Sequence, residues 1–211
     1  MDTTTIVRLL QPYISLDEQR LRLTSTYIDL LLKWNARVNL TAVRTPEEIV
    51  GRHFGESFFA ATTLLSAHTA RRVIDLGSGA GFPGIPLAML TPEAKITLIE
   101  AQRKKATFLR EVIFALGLKN AEVYADRGEG YPERADLVTM RAVERFASAL
   151  LVATNLTEGN GRIALMIGAS QTGEAAGVAK DVQWHSPIPL PGGHSRVLMV
   201  GIKTVKVGVE D

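Results

Sequence analysis

Apolar positions change their rhythm once along this chain. Up to about residue 70 they recur at helical spacing, and beyond it they gather into short runs. In SLDEQRLRLTSTYIDLLLKWNARVNL, Tyr27, Leu31, Trp34 and Val38 share one helical face, and Ser15 with Glu18 has the S-x-x-E spacing of a capping box. This predicts one long amphipathic helix over 16–38. Thr45, Pro46 and Glu48 mark a second helix start: a side-chain cap, a proline at the first helical position and an acid reaching back. ESFFAATTLLSA predicts a third helix. After Arg71 the runs RVIDL, KITLIE, AEVYA, DLVTM and RIALMI read as buried strands of a parallel sheet. Helices at 84–91, 102–116 and 143–155 separate them, the second closed by Gly117. Such repeated units imply right-handed crossovers and helices on both faces of the sheet. The chain's last runs, DVQWHSPIPL and RVLMVGIK, are joined by PGGHS with no helix between them, a hairpin that turns the last strand antiparallel. The expected fold class is α/β, a mostly parallel sheet of seven strands with the last antiparallel, plus an N-terminal helical extension. A helical cap over 1–70 and a sheet domain over 71–211, packed as one unit, is the expected division.

Composition narrows the chemistry. With 211 residues, 46% hydrophobic and 22% charged, the chain can bury a substantial core. Cysteine is absent, which excludes disulfides, thiolate metal sites and thiol nucleophiles. His53, His68, His185 and His194 show no H-x-x-x-H or H-E-x-x-H spacing, so no metal site is expected. The opening MDTTTIVRLLQPY lacks a basic segment followed by an apolar core, and no apolar run approaches the roughly 20 residues that span a bilayer. A cytoplasmic protein is expected. A net charge of +2 with a pI near 9.0 permits a polyanionic partner without identifying one.

The stretch VIDLGSGAGFPGIPLAML, Val73 to Leu90, places four glycines between two apolar runs. A glycine-rich turn leaving a parallel strand and entering a helix presents backbone N–H groups at the carboxyl edge of the sheet, where nucleotide-like ligands bind. The letters GAGFPG spell G-x-G-x-x-G, yet a dinucleotide fingerprint begins directly at the strand end, whereas here the first glycine after the strand is Gly77, two residues before that hexamer. Aligned to the strand end, the pattern is Asp75-Leu-Gly77-Ser-Gly79-Ala-Gly81. It resembles motif I of the class I S-adenosylmethionine methyltransferases, which implies that Asp75 accepts hydrogen bonds from the ligand's amino group or its waters. Glu100 ends the second strand about twenty residues on, where its two oxygens suit the two ribose hydroxyls. Dinucleotide enzymes share that feature, but no Tyr-x-x-x-Lys proton relay is present to support hydride transfer.

LLLKWNARVNLTAVRTPEEIVGRHFGES, VIDLGSGAGFPGIPLA and MRAVERFASA, taken in order, resemble the RsmG (GidB) family, which methylates N7 of a guanine in small-subunit ribosomal RNA. The likeness runs from about Leu30 through Gly168. It implies a Rossmann-like methyltransferase sandwich, S-adenosylmethionine as cofactor, and 16S ribosomal RNA or the small subunit as partner to a monomer. It also implies ligand contacts at Gly77, Phe82, Gly128, Glu129 and Arg141, with Phe82 covering the ligand and Gly128 approaching the adenine. Guanine N7 already offers a lone pair, so no general base is expected. The family's RH motif makes Arg52 and His53 candidates for the RNA, and Arg103, Lys104 and Lys105, with Arg110, add a basic helix start. Trp34 reads as core by its spacing, and Asn35 with Asn39 as fixing the turn after the long helix. Two departures stand out: Glu56 replaces the family's usual Asp, and Ile167 precedes Gly168 where relatives tend to carry Lys. A methyltransferase with another acceptor, or a ligand-binding or RNA-binding module without catalysis, keeps the same loop and stays open.

Overall fold

A computed structural model describes residues 1–67, 70–193 and 195–205. His68, His194 and the last residues of the 71–211 unit lie outside the described residues.

Helix α1 (Thr3–Leu10) was not expected from the pattern. Asp2 caps it by accepting from Thr5 N at 2.9 Å, and Ile6 and Leu10 are buried. Helix α2 (Glu18–Asn35) starts later than the capping box suggests, because Asp17, not Ser15, is the cap, its Oδ1 accepting from Arg20 N at 2.7 Å. It also stops three residues short of 38. Asn35 ends it by turning its Oδ1 onto Leu40 N at 2.9 Å and Thr41 N at 3.0 Å. Asn35 therefore fixes the turn as expected, whereas Asn39 is exposed and only receives the Arg44 guanidinium at 3.4 Å. Helix α3 (Pro46–Glu48) begins under Thr45, as its cap and proline require. The chain then widens into π-type turns over Ile49–Gly55 before α4 (Glu56–Ala67). Gly55 suits that bend, since a Cβ there would lie 2.6 Å from the Tyr13 ring.

The sheet follows as β1 (Arg72–Leu76), α5 (Gly84–Leu90), β2 (Lys95–Ile99), α6 (Arg103–Leu116), β3 (Ala121–Tyr124), β4 (Ala135–Arg141), α7 (Phe146–Leu156) and β5 (Thr157–Gly168). Next come α8 (Thr172–Val178), β6 (Val182–Trp184), β7 (Ile188–Pro189) and β8 (Arg196–Lys203). The strand order is β3-β2-β1-β4-β5-β8-β6, with β7 beside β8. Strands β1 to β5 pair in parallel, and β8 runs antiparallel to both β5 and β6. The two-residue β7 corrects the expected seven strands to eight among the described residues. Helix α8 was also missed, its TGEAAGV giving too little apolar periodicity to read. Gly117 closes α6 in the left-handed region at φ 64°, as the sequence required.

Period-two alternation divides the core between the sheet's faces. Along β5, Ile163, Leu165 and Ile167 join the cluster under α7 and α8, while Ala164 and Met166 join the other. That other cluster is continuous from Ile6, Tyr27 and Phe54 in the N-terminal helices to Phe82, Leu98 and Leu109 around the sheet. Tyr27 is fully buried and donates its hydroxyl to the Ala80 carbonyl. Trp34 packs on the same cluster, 5.7 Å from Phe108, with its indole N–H on Glu111 at 3.0 Å, a core role as its spacing predicts. Among the described residues no helix is long and apolar enough to cross a membrane.

This topology gathers the carboxyl ends of β1, β2, β4 and β5 at one edge. The antiparallel β8 adds its amino end there, because Arg196 pairs with Gly168.

Candidate active site

A cleft of about 530 Å³ opens at this edge, bordered by Gly77, Gly79 and Glu100 on one side and Arg141, Ile167 and Arg196 on the other. Three glycines of the loop after β1 take the left-handed conformation, Gly77 at φ 70°, Gly79 at 59° and Gly81 at 91°. The turn folds toward β2, with Gly77 N and Ser78 N both donating to Ile99 O, at 2.9 and 3.0 Å. Gly79 faces open space: a Cβ there would meet nothing nearer than Gly77 O at 3.8 Å. Gly81 faces inward instead and does not border the cleft, because a Cβ there would press on Ile85 at 2.8 Å.

The two acids of the motif have different roles. Asp75 is fully buried and does not line the cleft. Its Oδ1 accepts from Thr139 Oγ1 at 2.8 Å and its Oδ2 from Gly84 N at 3.2 Å, so it clamps the loop internally. Both oxygens thus have partners within the loop and sheet, where the sequence led us to expect hydrogen bonds from the ligand's amino group or its waters. Burial pushes the Asp75 carboxyl up to about 6 despite those hydrogen bonds. Glu100 does border the cleft, and its oxygens accept from Gly79 N at 2.9 Å and Gln102 N at 2.7 Å. Each carboxylate oxygen has two lone pairs, so one on each remains for hydroxyl donors.

Phe82 is held in an aromatic stack. Tyr27 and His53 lie on it nearly parallel, at 5.3 and 5.0 Å, and Phe54 meets it edge-on at 5.0 Å. It borders the cleft and is 6% exposed, so the stack supports that wall. Gly128 packs against the end of β1, where a Cβ would sit 2.6 Å from Leu76 Cδ1. Glu129 beside it is exposed, and neither residue borders the cleft. Of the basic helix start, Lys105 lines the cleft, while Arg103 and Lys104 are exposed and are not among its lining residues. Arg52 and His53 do line it.

Buried charge concentrates at the far wall. Glu56, 1% exposed, accepts from Arg196 Nε at 2.8 Å and from Arg141 Nη2 at 3.2 Å. Arg141 also donates to Arg52 O at 2.8 Å and Ser57 Oγ at 3.4 Å, tying the end of β4 to the π-type segment. Burial lowers the Arg141 guanidinium to about 10, against the pull of Glu56.

His53 Nε2 shares a hydrogen bond with Thr41 Oγ1 at 2.7 Å, and its buried Nδ1 has no partner among the described residues. Burial, reinforced by Arg141, Arg52 and Arg196, lowers the imidazole to about 3. Native His53 therefore stays neutral where an unfolded imidazole, near 6.5, takes up a proton, so it contributes stability that is lost as pH falls below 6.5. Asp75 acts in the opposite sense: its contribution is present below 3.8 and lost as pH rises through about 6. His53→Gln keeps a partner for Thr41 and removes the first effect. The variant's stability relative to wild type should rise by about 2 kcal/mol between pH 7 and pH 5, read from urea midpoints at both. A difference that stays constant with pH would show that native His53 takes up protons freely.

Several cleft residues carry no advance signal. Ala142, Val143 and Glu144 line it on a loop in which Ala142 and Arg145 hold φ values of 47° and 53°, a conformation costing about 1 kcal/mol or more each for non-glycine residues. Thr41 and Arg196 are likewise unmarked, although the antiparallel last strand was a clue to Arg196. Ile167 lines the cleft 5% exposed and packs with the α7 and α8 cluster, adding no charge.

The family model described as rRNA small subunit methyltransferase G, GidB, matches residues 20–192. Ribosomal RNA small subunit methyltransferase G of Chromobacterium violaceum is 35% identical over 188 residues, covering 87% of this chain and 88% of that one. Its namesake in Neisseria gonorrhoeae is 40% identical over 157 residues, 74% of each chain. Among solved structures, a SAM-dependent methyltransferase from Aquifex aeolicus superposes with a TM-score of 0.60 at 17% identity, over 76% of this chain and 94% of that one. A SAM-dependent O-methyltransferase from Thermotoga maritima also gives 0.60, at 18% identity, over 86% and 72%. The fold is therefore the Rossmann-like methyltransferase sandwich. With a family match over most of its length and relatives more than 30% identical across most of theirs, the chain belongs to the GidB family, rRNA small subunit methyltransferase G.

Proposed function

We propose that this protein transfers the methyl group of S-adenosylmethionine to N7 of a guanine in 16S ribosomal RNA, in the cytoplasm. The observation that carries the reading is the two-sided cleft, with a glycine loop and Glu100 at β1 and β2 and arginines at β4 and β8. Membership of the family gives the reaction and the acceptor class.

The residues present fit such a cofactor. A cleft of about 530 Å³ lies within the range of small-molecule sites, the open backbone at Gly79 lets a ligand approach, and Glu100 keeps lone pairs for ribose hydroxyls. Gly77, Gly79 and Glu100 would hold the adenosine half. Gly128 and Glu129, on the short turn after β3, are the candidates for the adenine end, and Arg141 would meet the ligand from the far wall. The cofactor supplies a methyl group made electrophilic by its sulfonium. The protein's work is then to align N7 with that methyl and to exclude competing water. No proton has to leave N7 first. In keeping with that, His53 is held near pKa 3, where it is a poor base, and Glu100 is occupied by backbone N–H groups.

The test combines purified protein, S-adenosylmethionine labelled in its methyl group, and small subunits from cells lacking this activity, with digestion of the RNA to nucleosides. Label in 7-methylguanosine from a single position is the expected result. Ile167 favours one other reading, a methyltransferase with a different acceptor, because the end of β5 brings no charge of its own to the cleft. Cofactor binding without label in small-subunit RNA would support it.

A further inference from the structure

We propose that Arg196 binds a backbone phosphate of the acceptor RNA and that Glu56 is the positioning residue that holds it in place. The inference rests on the reading of an RNA acceptor and adds to it a residue that the sequence did not mark.

The first ground is charge. One buried carboxylate, Glu56 at 1% side-chain exposure, faces two guanidiniums, Arg141 at 10% and Arg196 at 31%. It can neutralise only one of them, and a guanidinium withdrawn from water without a counter-ion is costly. The carboxylates lining the cleft are Glu100 and Glu144. Glu100 is engaged by the Gly79 and Gln102 amides, and neither acid forms an ion pair with Arg196 among the described residues. Asp75 also pulls on Arg141, but with Arg52 the cluster sets three guanidiniums against two carboxylates, and this surplus positive charge suits an anion from outside.

Hydrogen-bond capacity is the second ground. Arg196 places Nε and Nη2 on Glu56 Oε1. A guanidinium carries five N–H donors in a rigid fork that suits phosphate oxygens, and the Nη1 pair has no protein partner among the described residues. Glu56 fixes the fork from one side and leaves the other to the cleft, which Arg196 lines.

Placement decides which anion. From Glu100 at the end of β2 to Arg196 at the start of β8 the order runs β2-β1-β4-β5-β8. Those four strand spacings amount to about 19 Å. The ribose site proposed above occupies one end of the cleft, so Arg196 stands at the acceptor's end. Arg52, exposed on the π-type segment that Arg141 secures, borders the same cleft and supplies a second cation.

The test measures binding of a small-subunit RNA fragment and, separately, of S-adenosylmethionine. Arg196→Ala should weaken RNA binding by about 10-fold near 0.1 M salt and reduce the slope of log K against log salt by about one phosphate's worth. Cofactor affinity should stay within about 2-fold, and the KM for subunits should rise more than kcat falls. Arg196→Lys should recover part of the affinity through its charge. Glu56→Gln should weaken RNA binding with little change in the salt slope, because the arginine remains charged but is less well held. Arg196→Gln, which still offers a donor to Glu56, serves if the alanine variant does not fold. A loss of cofactor affinity with RNA binding unchanged would assign the anion to the cofactor's carboxylate and overturn the proposal. So would unchanged binding of both. If wild type binds RNA with an Arg196-dependent slope yet labels no guanine, the N7 reading fails and this one stands. If it labels guanine and the Arg196 variants bind RNA normally, the reverse holds.

Discussion

Glu56→Ala is expected to lower the thermal midpoint by about 10 °C, the largest stability loss foreseen for any single substitution at this site. Removing one partner of a buried ion pair typically costs about 3–5 kcal/mol, because the other charge is left without water or counter-ion. Here two guanidiniums lose the same carboxylate. Arg196 can turn toward solvent, so the low end of that range applies, and Arg141 carries most of the penalty. In a chain of this size about 3 kcal/mol corresponds to roughly 10 °C. Glu56→Asp should fall between, since it keeps the charge but cannot span both arginines. A midpoint within 2 °C of wild type for the alanine variant, roughly the effect of a surface change, would mean that both arginines regain water easily.

The second large effect is on the ligand. Glu100→Ala is expected to weaken S-adenosylmethionine binding by about 100-fold while leaving the ligand-free midpoint nearly unchanged. Hydrogen bonds to a charged group are worth about 1.5–3 kcal/mol each, and the carboxylate both offers acceptors to the ribose and holds Gly79 N in place. In the empty protein, water can take over the Gly79 and Gln102 amides at the cleft, so stability is spared. Calorimetric titration of both proteins measures the ratio. Equal affinities would put the ribose somewhere other than Glu100.

The sequence was most legible where one residue type is physically required. Gly77, Gly79, Gly81 and Gly117 all hold positive φ, and the spacing of the first three located the loop. Strand β1 was bounded correctly because its apolar run ends at charged and glycine residues on either side. Asp75 was harder, since a strand-end carboxylate looks the same in sequence whether it faces a ligand or turns inward to Thr139 and Gly84. The setting of Phe82 was illegible for a related reason: nothing local shows that Tyr27 and His53, far away in the chain, will stack on it. Arg196 carries no motif at all. Its position at the cleft follows from antiparallel pairing with Gly168, and its orientation from Glu56, 140 residues earlier. Ala142 was invisible, because alanine does not announce a left-handed backbone.

The hydroxyl of Tyr27 on the Ala80 carbonyl joins the first helices to the middle of the glycine loop. The loop's shape is thus inherited from both halves of the gene. A fragment encoding only the sheet would lose this anchor along with the aromatic support of Phe82. It would be an incomplete enzyme, not a smaller one. Chimeras between relatives accordingly have to exchange the second helix and the glycine loop together.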